Sequence, residues 1–191
     1  MADDPYHHGD LRTAILDAAE ELLADRPIEM VSMRELARQA GVSPGAPYHH
    51  FKDRNGLVIA LCQRGFSRLG ELLTAKQEEN GLDGQIEGYL QFSQASPALY
   101  QLMFSPEVTA GENQEQLRPF TQPVADILAR EITGGSEEEA TREQGHMLIA
   151  IWCFMHGLCT LGRTDPLKHR LKDMPLFDFA KQSIDKLKDG H

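Results

Sequence analysis

Apolar positions recur along this chain at helical spacing almost without interruption. Leu11, Ile15, Ala18 and Leu22 step by 4, 3 and 4, which puts one stripe of a first helix (about 10 to 25) against a core. Pro27 closes that helix. Ser32 opens a second, with Glu35 three residues on, the spacing of a capping box. Leu36, Ala37 and Ala40 form its apolar face, and Gly41 ends it as the residue best suited to a left-handed conformation. In "GVSPGAPYHHF" (41–51), Ser43 is then an N-cap and Pro44 the first helical residue, so the spacing predicts a third helix to about His50. Two helices joined by a glycine-containing turn of three residues form a helix-turn-helix, whose second helix enters the DNA major groove. Asp53 caps a long fourth helix with a seam of Leu57, Leu61, Leu69, Leu72 and Leu73, ending near Glu79.

Beyond Gly81 the pattern remains helical. One helix runs to about Gln94, and Ser96 with Pro97 opens a short one. "SPEVTAGENQEQ" (105–116) reads as a flexible polar connection, and "LRPFTQPVADILARE" as a helix started or interrupted by its prolines. A long helix is predicted from Glu137 to about Arg163, acidic in its first turn as the helix dipole favours. A final amphipathic helix carries Leu176, Phe177, Ala180, Ile184 and Leu187. The expected fold is all-α: a three-helix head with a helix-turn-helix over residues 1–54 and a helical domain over 55–191.

Composition narrows the class. The 191 residues are 41% hydrophobic and 25% charged, values typical of a globular domain able to bury a core. "MADDPYHHGD" lacks the pattern of a signal peptide, and the longest apolar run, "MLIAIWCFMHGLCTL" (147–161), is too short to span a bilayer, so no membrane partner is expected. Three cysteines, Cys62, Cys153 and Cys159, cannot all pair, which points to the cytoplasm. The net charge of −10 counts against nucleic acid, but the acidity is unevenly placed: residues 1–68 carry 8 basic against 10 acidic side chains, and residues 69–191 carry 11 against 19. Local patches, not totals, decide phosphate binding. The adjacent pairs His7–His8 and His49–His50 diverge on a helix or strand and make poor chelates. Cys153 and Cys159 lie on different helical faces. No phosphate loop, nucleophile elbow or paired-acid arrangement occurs, so neither enzyme activity, cofactor nor metal is expected.

The head "LDAAEELLADRPIEMVSMRELARQAGVSPGAPYHHFKDRNGLVIAL", with its "S-x-R-E-x-A-x-x-A-G-V-S" and "Y-x-H-F" runs, resembles the TetR family of bacterial transcriptional repressors. "PALYQLMF" and "WCFMHG" resemble the C-terminal domain of a subgroup named for a Trp-His-Gly signature. The resemblance implies a homodimer that binds double-stranded DNA at a near-palindromic operator and releases it when a small molecule enters the C-terminal domain. It also implies backbone-phosphate contacts for Tyr48 and His49, a buried role for Phe51, and a phosphate contact for Arg54 where the family usually has lysine. Ser43, Gly45, Ala46 and Pro47 complete the candidate DNA surface, with Lys52 and Arg34 as further phosphate candidates; for Arg34 an ordinary solvated charge is an equal reading. Gly45 and Ala46 offer close approach without side-chain hydrogen bonds, leaving thymine-methyl contact and DNA shape to select sequence. The acidic arm "MADDPYHH" is a poor minor-groove insert.

For the effector, the rings and methionines Tyr89, Phe92, Tyr100, Met103, Phe104, Phe120, Met147, Trp152 and Met155, with His156, are candidates for an apolar cavity; each is also a normal core residue. A helix at 147–161 that is apolar nearly all round needs cover on every side, and a second copy of the chain, meeting it together with the final helix, supplies that cover. The alternative function is a helical adaptor that keeps the head as scaffold, favoured by the acidic charge alone.

Overall fold

A computed structural model describes residues 7–172 and 174–189, which are helical or irregular, with no strand among them. The helices are α1 (His7–Asp25), α2 (Met33–Gln39), α3 (Ala46–Phe51), α4 (Arg54–Ala95), α5 (Pro97–Met103), α6 (Pro106–Thr109), α7 (Glu112–Thr133), α8 (Arg142–Leu161), α9 (Asp165–Leu171) and α10 (Leu176–Asp189). Short 3-10 turns occupy Ile28–Met30 and Glu137–Glu139.

Two compact units share this chain. The first comprises the residues up to Gly65 together with Ser96–Arg118; the second comprises Phe66–Ala95 and the residues from Pro119 onward. By packing, α5 and the start of α7 group with the three-helix head. In that unit Ile15, Ala19, Leu36, Leu57 and Leu61 are buried, and α1, α2 and α3 pack against one another. Met103 is fully buried and fills the notch at Gly65, where a Cβ would stand 2.4 Å from its Sδ. Arg64 on α4 ties to α1 through Asp17 and through Glu20 at 3.3 Å.

The second unit is built on a reversal within α4. Asn80 and Gly81 leave helical geometry, Gly81 at φ 56°, so α4 is two helices folded at that point, as the pattern predicts. A Cβ on Gly84 would fall 1.9 Å from the Lys76 carbonyl oxygen, so only glycine fits where the second segment returns across the first. Leu69, Leu73, Tyr89, Val124, Ala129, Met155, Ala180 and Ile184 form the buried interior.

Three expectations need correction. Residues 105–116 are not merely a connection: α6 lies within them and α7 begins at Glu112. Both Pro119 and Pro123 sit inside a continuous α7. The Glu115 carbonyl that Pro119 cannot bond belongs to an exposed residue, open to water, which makes the proline tolerable. The long helix expected from Glu137 starts at Arg142 instead. A Thr141–Gln144 capping box resets it: Thr141 N–H donates to Gln144 Oε1 at 2.9 Å, and Gln144 N–H donates to Thr141 Oγ1 at 3.3 Å.

Candidate nucleic-acid interface and effector cavity

The turn between α2 and α3 is fixed by its own backbone. Gly41 takes φ 66°, Gly41 N–H donates to Arg38 O at 3.2 Å, and Val42 N–H donates to Ala37 O at 2.9 Å. These are the two bonds of a Schellman motif, which satisfies the last carbonyls of α2 and turns the chain sharply. At the other end of α2, Ser32 Oγ accepts from Glu35 N–H at 3.1 Å, a cap worth about 1 kcal/mol. The Glu35 carboxyl is held below its usual range, first by a hydrogen bond from Arg26, and further by the charges of Arg26 and Arg38 and the Ser32 amide.

Ser43 and Pro44 do not open α3. Ser43 instead accepts a turn bond at its carbonyl from Ala46 N–H at 3.0 Å, and the helix starts at Ala46 with Gly45 at the N-cap. Pro47 thus falls in the first turn, where amides have no intrahelical acceptor, so it neither breaks nor shortens the helix. Its ring is also fully buried, which removes it from the exposed DNA candidates. Ser43, Gly45, Tyr48, His49, Lys52 and Arg34 are exposed, and Ala46 and His50 are half-buried. Phe51 is buried, with the Arg12 guanidinium 5.4 Å from its ring centroid. That cation beside the recognition helix is one the sequence pattern does not single out, because α1 reaches Phe51 only in the folded head.

Lys52 leaves α3 at φ 62°, and Asp53 Oδ1 accepts from Gly56 N–H at 2.9 Å to cap α4, as expected. Arg54 has a task that its spacing conceals: its guanidinium donates to the carbonyls of Glu29 and, at 2.9 Å, Val31. It clamps the Ile28–Met30 turn, so phosphate binding there depends on the remaining N–H groups of a five-donor fork. Residues 1–6 of the acidic arm lie outside the described residues.

The ten effector candidates are not brought together. Tyr100, Met103 and Phe104 belong to the head unit, where the Tyr100 and Phe104 rings meet at 5.0 Å. In the second unit a cavity of about 40 Å³ is lined by Tyr89, Trp152 and Met155, and also by Leu82, Gln85, Ile86, Leu128, Ile132, Leu148, Ile151 and Ile184. Phe92, Phe120, Met147 and His156 are not among its lining residues. Burial lowers the His156 pKa, which favours the neutral ring. The lining is mostly aliphatic, so a search weighted toward rings and methionines misses it. Gln85 is the one amide in the wall, and no sequence signal marks it.

α8 has two apolar faces. Met147, Met155, Leu158 and Cys159 are buried, whereas Ile149 is 58% exposed, Trp152 47% and Leu161 56%, with Cys153 exposed beside them. On the same outer half a Cβ at Gly157 would meet nothing within 4 Å. α10 differs from expectation. Ala180 and Ile184 are fully covered within the chain, Phe179 meets Phe154 at 6.0 Å, and only Leu187 of the stripe is exposed. Gly162 is likewise occupied, with Leu176 against it.

Among the described residues no cluster of three or more metal-ligating side chains occurs, and no single helix is long and apolar enough to cross a membrane. Burial pushes the Cys62 thiol up to about 12, so it is inert at neutral pH.

Residues 15–61 match the family model of bacterial regulatory proteins of the tetR family, and residues 82–184 match the tetracyclin repressor-like C-terminal domain. The chain is 29% identical over 137 residues to the HTH-type transcriptional activator FasR of Mycolicibacterium smegmatis, a match covering 69% of this chain and 63% of that protein. It is 34% identical over 80 residues to the HTH-type transcriptional repressor AcnR of Corynebacterium glutamicum, covering 42% and 40%. In both cases it spans less than two thirds of the relative's length. A solved protein of unknown function from Rhodococcus sp. RHA1 superposes with a TM-score of 0.78 at 28% identity, over 98% of each chain. The helix-turn-helix at Met33–Phe51 and the C-terminal helices thus have matching family models, and this chain belongs to the TetR family of transcriptional regulators, which are not enzymes.

Proposed function

We propose that the chain is a cytoplasmic, homodimeric repressor that binds a near-palindromic operator through α3 and releases it when a small apolar or aromatic molecule occupies the C-terminal unit. The observation that carries the reading is α3 itself. A short helix, set by a Schellman turn, exposes Tyr48 and His49 while Pro47 and Phe51 anchor it from behind. Tyr48, His49 and Lys52 take backbone phosphates; Ser43, Gly45 and Ala46 approach base edges. Arg34 and Arg54 add positive charge at the flanks. The C-terminal part is, on the residues "PALYQLMF" and "WCFMHG", a member of the Trp-His-Gly subgroup in this reading.

The dimer reading is supported by the outer face of α8, whose exposed Ile149, Trp152, Cys153 and Leu161 require cover. Two copies joined there present two recognition helices to a two-fold site. For release, the effector must favour a spacing of the two heads that does not fit DNA, since equal affinity for both states shifts nothing. Electrophoretic mobility of the DNA upstream of its own gene tests the reading. A shift that disappears when Tyr48 and Lys52 are both changed to alanine is expected. Retention of the shift in that double variant would overturn the assignment of α3.

A further inference from the structure

The cavity of the second unit is apolar apart from one feature. Gln85 is 2% exposed, and its Nε2 donates to the Ile127 carbonyl at 2.7 Å. A carbonyl only accepts, so the amide's orientation is set: nitrogen toward Ile127, oxygen away from it. That Oε1 is buried and has no hydrogen-bond partner in the protein, although Gln85 lines the cavity. A buried acceptor left unmatched is costly, and whatever supplies a donor recovers that cost. Nothing else in the wall is suited to charge: no lysine, arginine or histidine lines the cavity. A carboxylate or phosphate there would be buried without a counter-ion and would face the lone pairs of Oε1.

We propose that this cavity takes a neutral, largely apolar molecule carrying one hydrogen-bond donor, a hydroxyl or N–H, which it presents to Gln85 Oε1. The proposal rests on reading this unit as the effector-binding one and adds the chemical class of the effector. The cavity of about 40 Å³ accepts only a small group as it stands. Trp152 is at once a wall of the cavity and 47% exposed, so a larger ligand that displaces this wall shifts a residue of the outer face. Since α8 also carries the exposed apolar face, the same displacement alters the surface offered to a second copy. A mostly aliphatic wall with a single buried amide acceptor discriminates by donor, so phenols, alcohols and amides bind more tightly than their ethers and acids.

The experiment uses the full chain and three matched probes: 4-ethylphenol, its methyl ether and 4-ethylbenzoate. Binding is read from the emission of Trp152, the single tryptophan, and from the thermal midpoint, both without DNA. The phenol is expected to bind about tenfold tighter than the ether, with the benzoate weakest. Gln85→Leu should bring phenol and ether to within about twofold of each other. The comparison in the unaltered protein stands even if that variant folds poorly, and Gln85→Met provides a second one. Equal binding of phenol and ether, tightest binding of the benzoate, or no response to any of the three overturns the proposal. Mobility of the upstream DNA with no compound present, on the same preparation, is the separate readout of the regulator reading. Its failure would leave the donor preference standing, and loss of the donor preference would leave DNA binding intact.

Discussion

Two exposed helical surfaces of this protein, α3 and the outer half of α8, are exposed for opposite reasons. α3 shows solvent Tyr48 and His49, with Lys52 at its C-cap, groups that lose little in water and keep their value for a phosphate. Its apolar residues, Pro47 and Phe51, are turned inward. α8 shows solvent Ile149, Trp152, Cys153 and Leu161, groups that gain nothing from water. A polar surface is stable uncovered and waits for a partner; an apolar one needs its partner to be present throughout. On the proposed reading, the contact of α3 with DNA is therefore reversible and the contact between chains at α8 is permanent.

The strongest way to break that comparison is Ile149→Asp. A carboxylate placed in a dry interface without a partner costs at least about 3 kcal/mol, so the protein should sediment as a 21.4 kDa monomer with α-helical content unchanged. Operator affinity should fall at least about a hundredfold, because two linked heads become two independent ones. A dimer that survives this change would remove the outer face of α8 from the interface.

Next in size are two cations at the head. Arg54→Ala removes two charge-assisted bonds to Glu29 and Val31 and should lower stability by about 2 kcal/mol, visible in thermal melting without DNA. Lys52→Ala should leave the melting point nearly unchanged. It should weaken binding to all sequences alike and reduce the salt dependence of affinity by about one charge. If Lys52→Ala melts early and Arg54→Ala does not, the roles assigned to these two residues are reversed.

Cysteine chemistry sharpens the comparison without a mutation. Cys62 and Cys159 are buried and Cys153 is exposed on α8, so one thiol per chain is open in an isolated copy. With α8 covered, labelling of Cys153 should slow on raising the protein concentration, and mild oxidation should give a covalent dimer. Concentration-independent labelling would argue that the face is free.

The smallest effect concerns Glu35. Its folded pKa lies below the ordinary carboxylate value, first because of Arg26, so its stabilisation is present above the ordinary value and is lost as pH falls through the lowered one. Glu35→Gln should therefore lower the thermal midpoint slightly at pH 7 and have no effect near pH 2. An equal loss at both values would mean that packing, not charge, holds the residue.

Much of the head is legible in the sequence because its signals are local. The Ser32 cap, the left-handed Gly41 and the Asp53 cap each act within a few residues, and each is found where the pattern places it. Pro44 and Pro47 both suit the first turn of a helix, and only the true start at Ala46 shows that Pro47 is the one that occupies it. Arg54 and Arg12 find their partners 23 to 39 positions away in the chain, beyond the reach of periodicity. In the second unit, a stripe of leucines and isoleucines looks the same whether it fills a core or lines a cavity. Tyr100 and Met103 are buried in the head unit and Phe104 is half-buried there, whereas Ile151 and Leu128, which no ring or sulfur marks, line the cavity. Gln85 becomes meaningful only once Ile127 is seen to hold its nitrogen.

In the proposed complex, two chains joined at α8 place two copies of α3 on one DNA site. The mass of the complex with a single upstream duplex, measured by sedimentation equilibrium at micromolar protein, tests it directly. Two chains of 21.4 kDa per duplex, already paired before DNA is added, are expected. One chain per duplex, with free protein monomeric throughout, would contradict it.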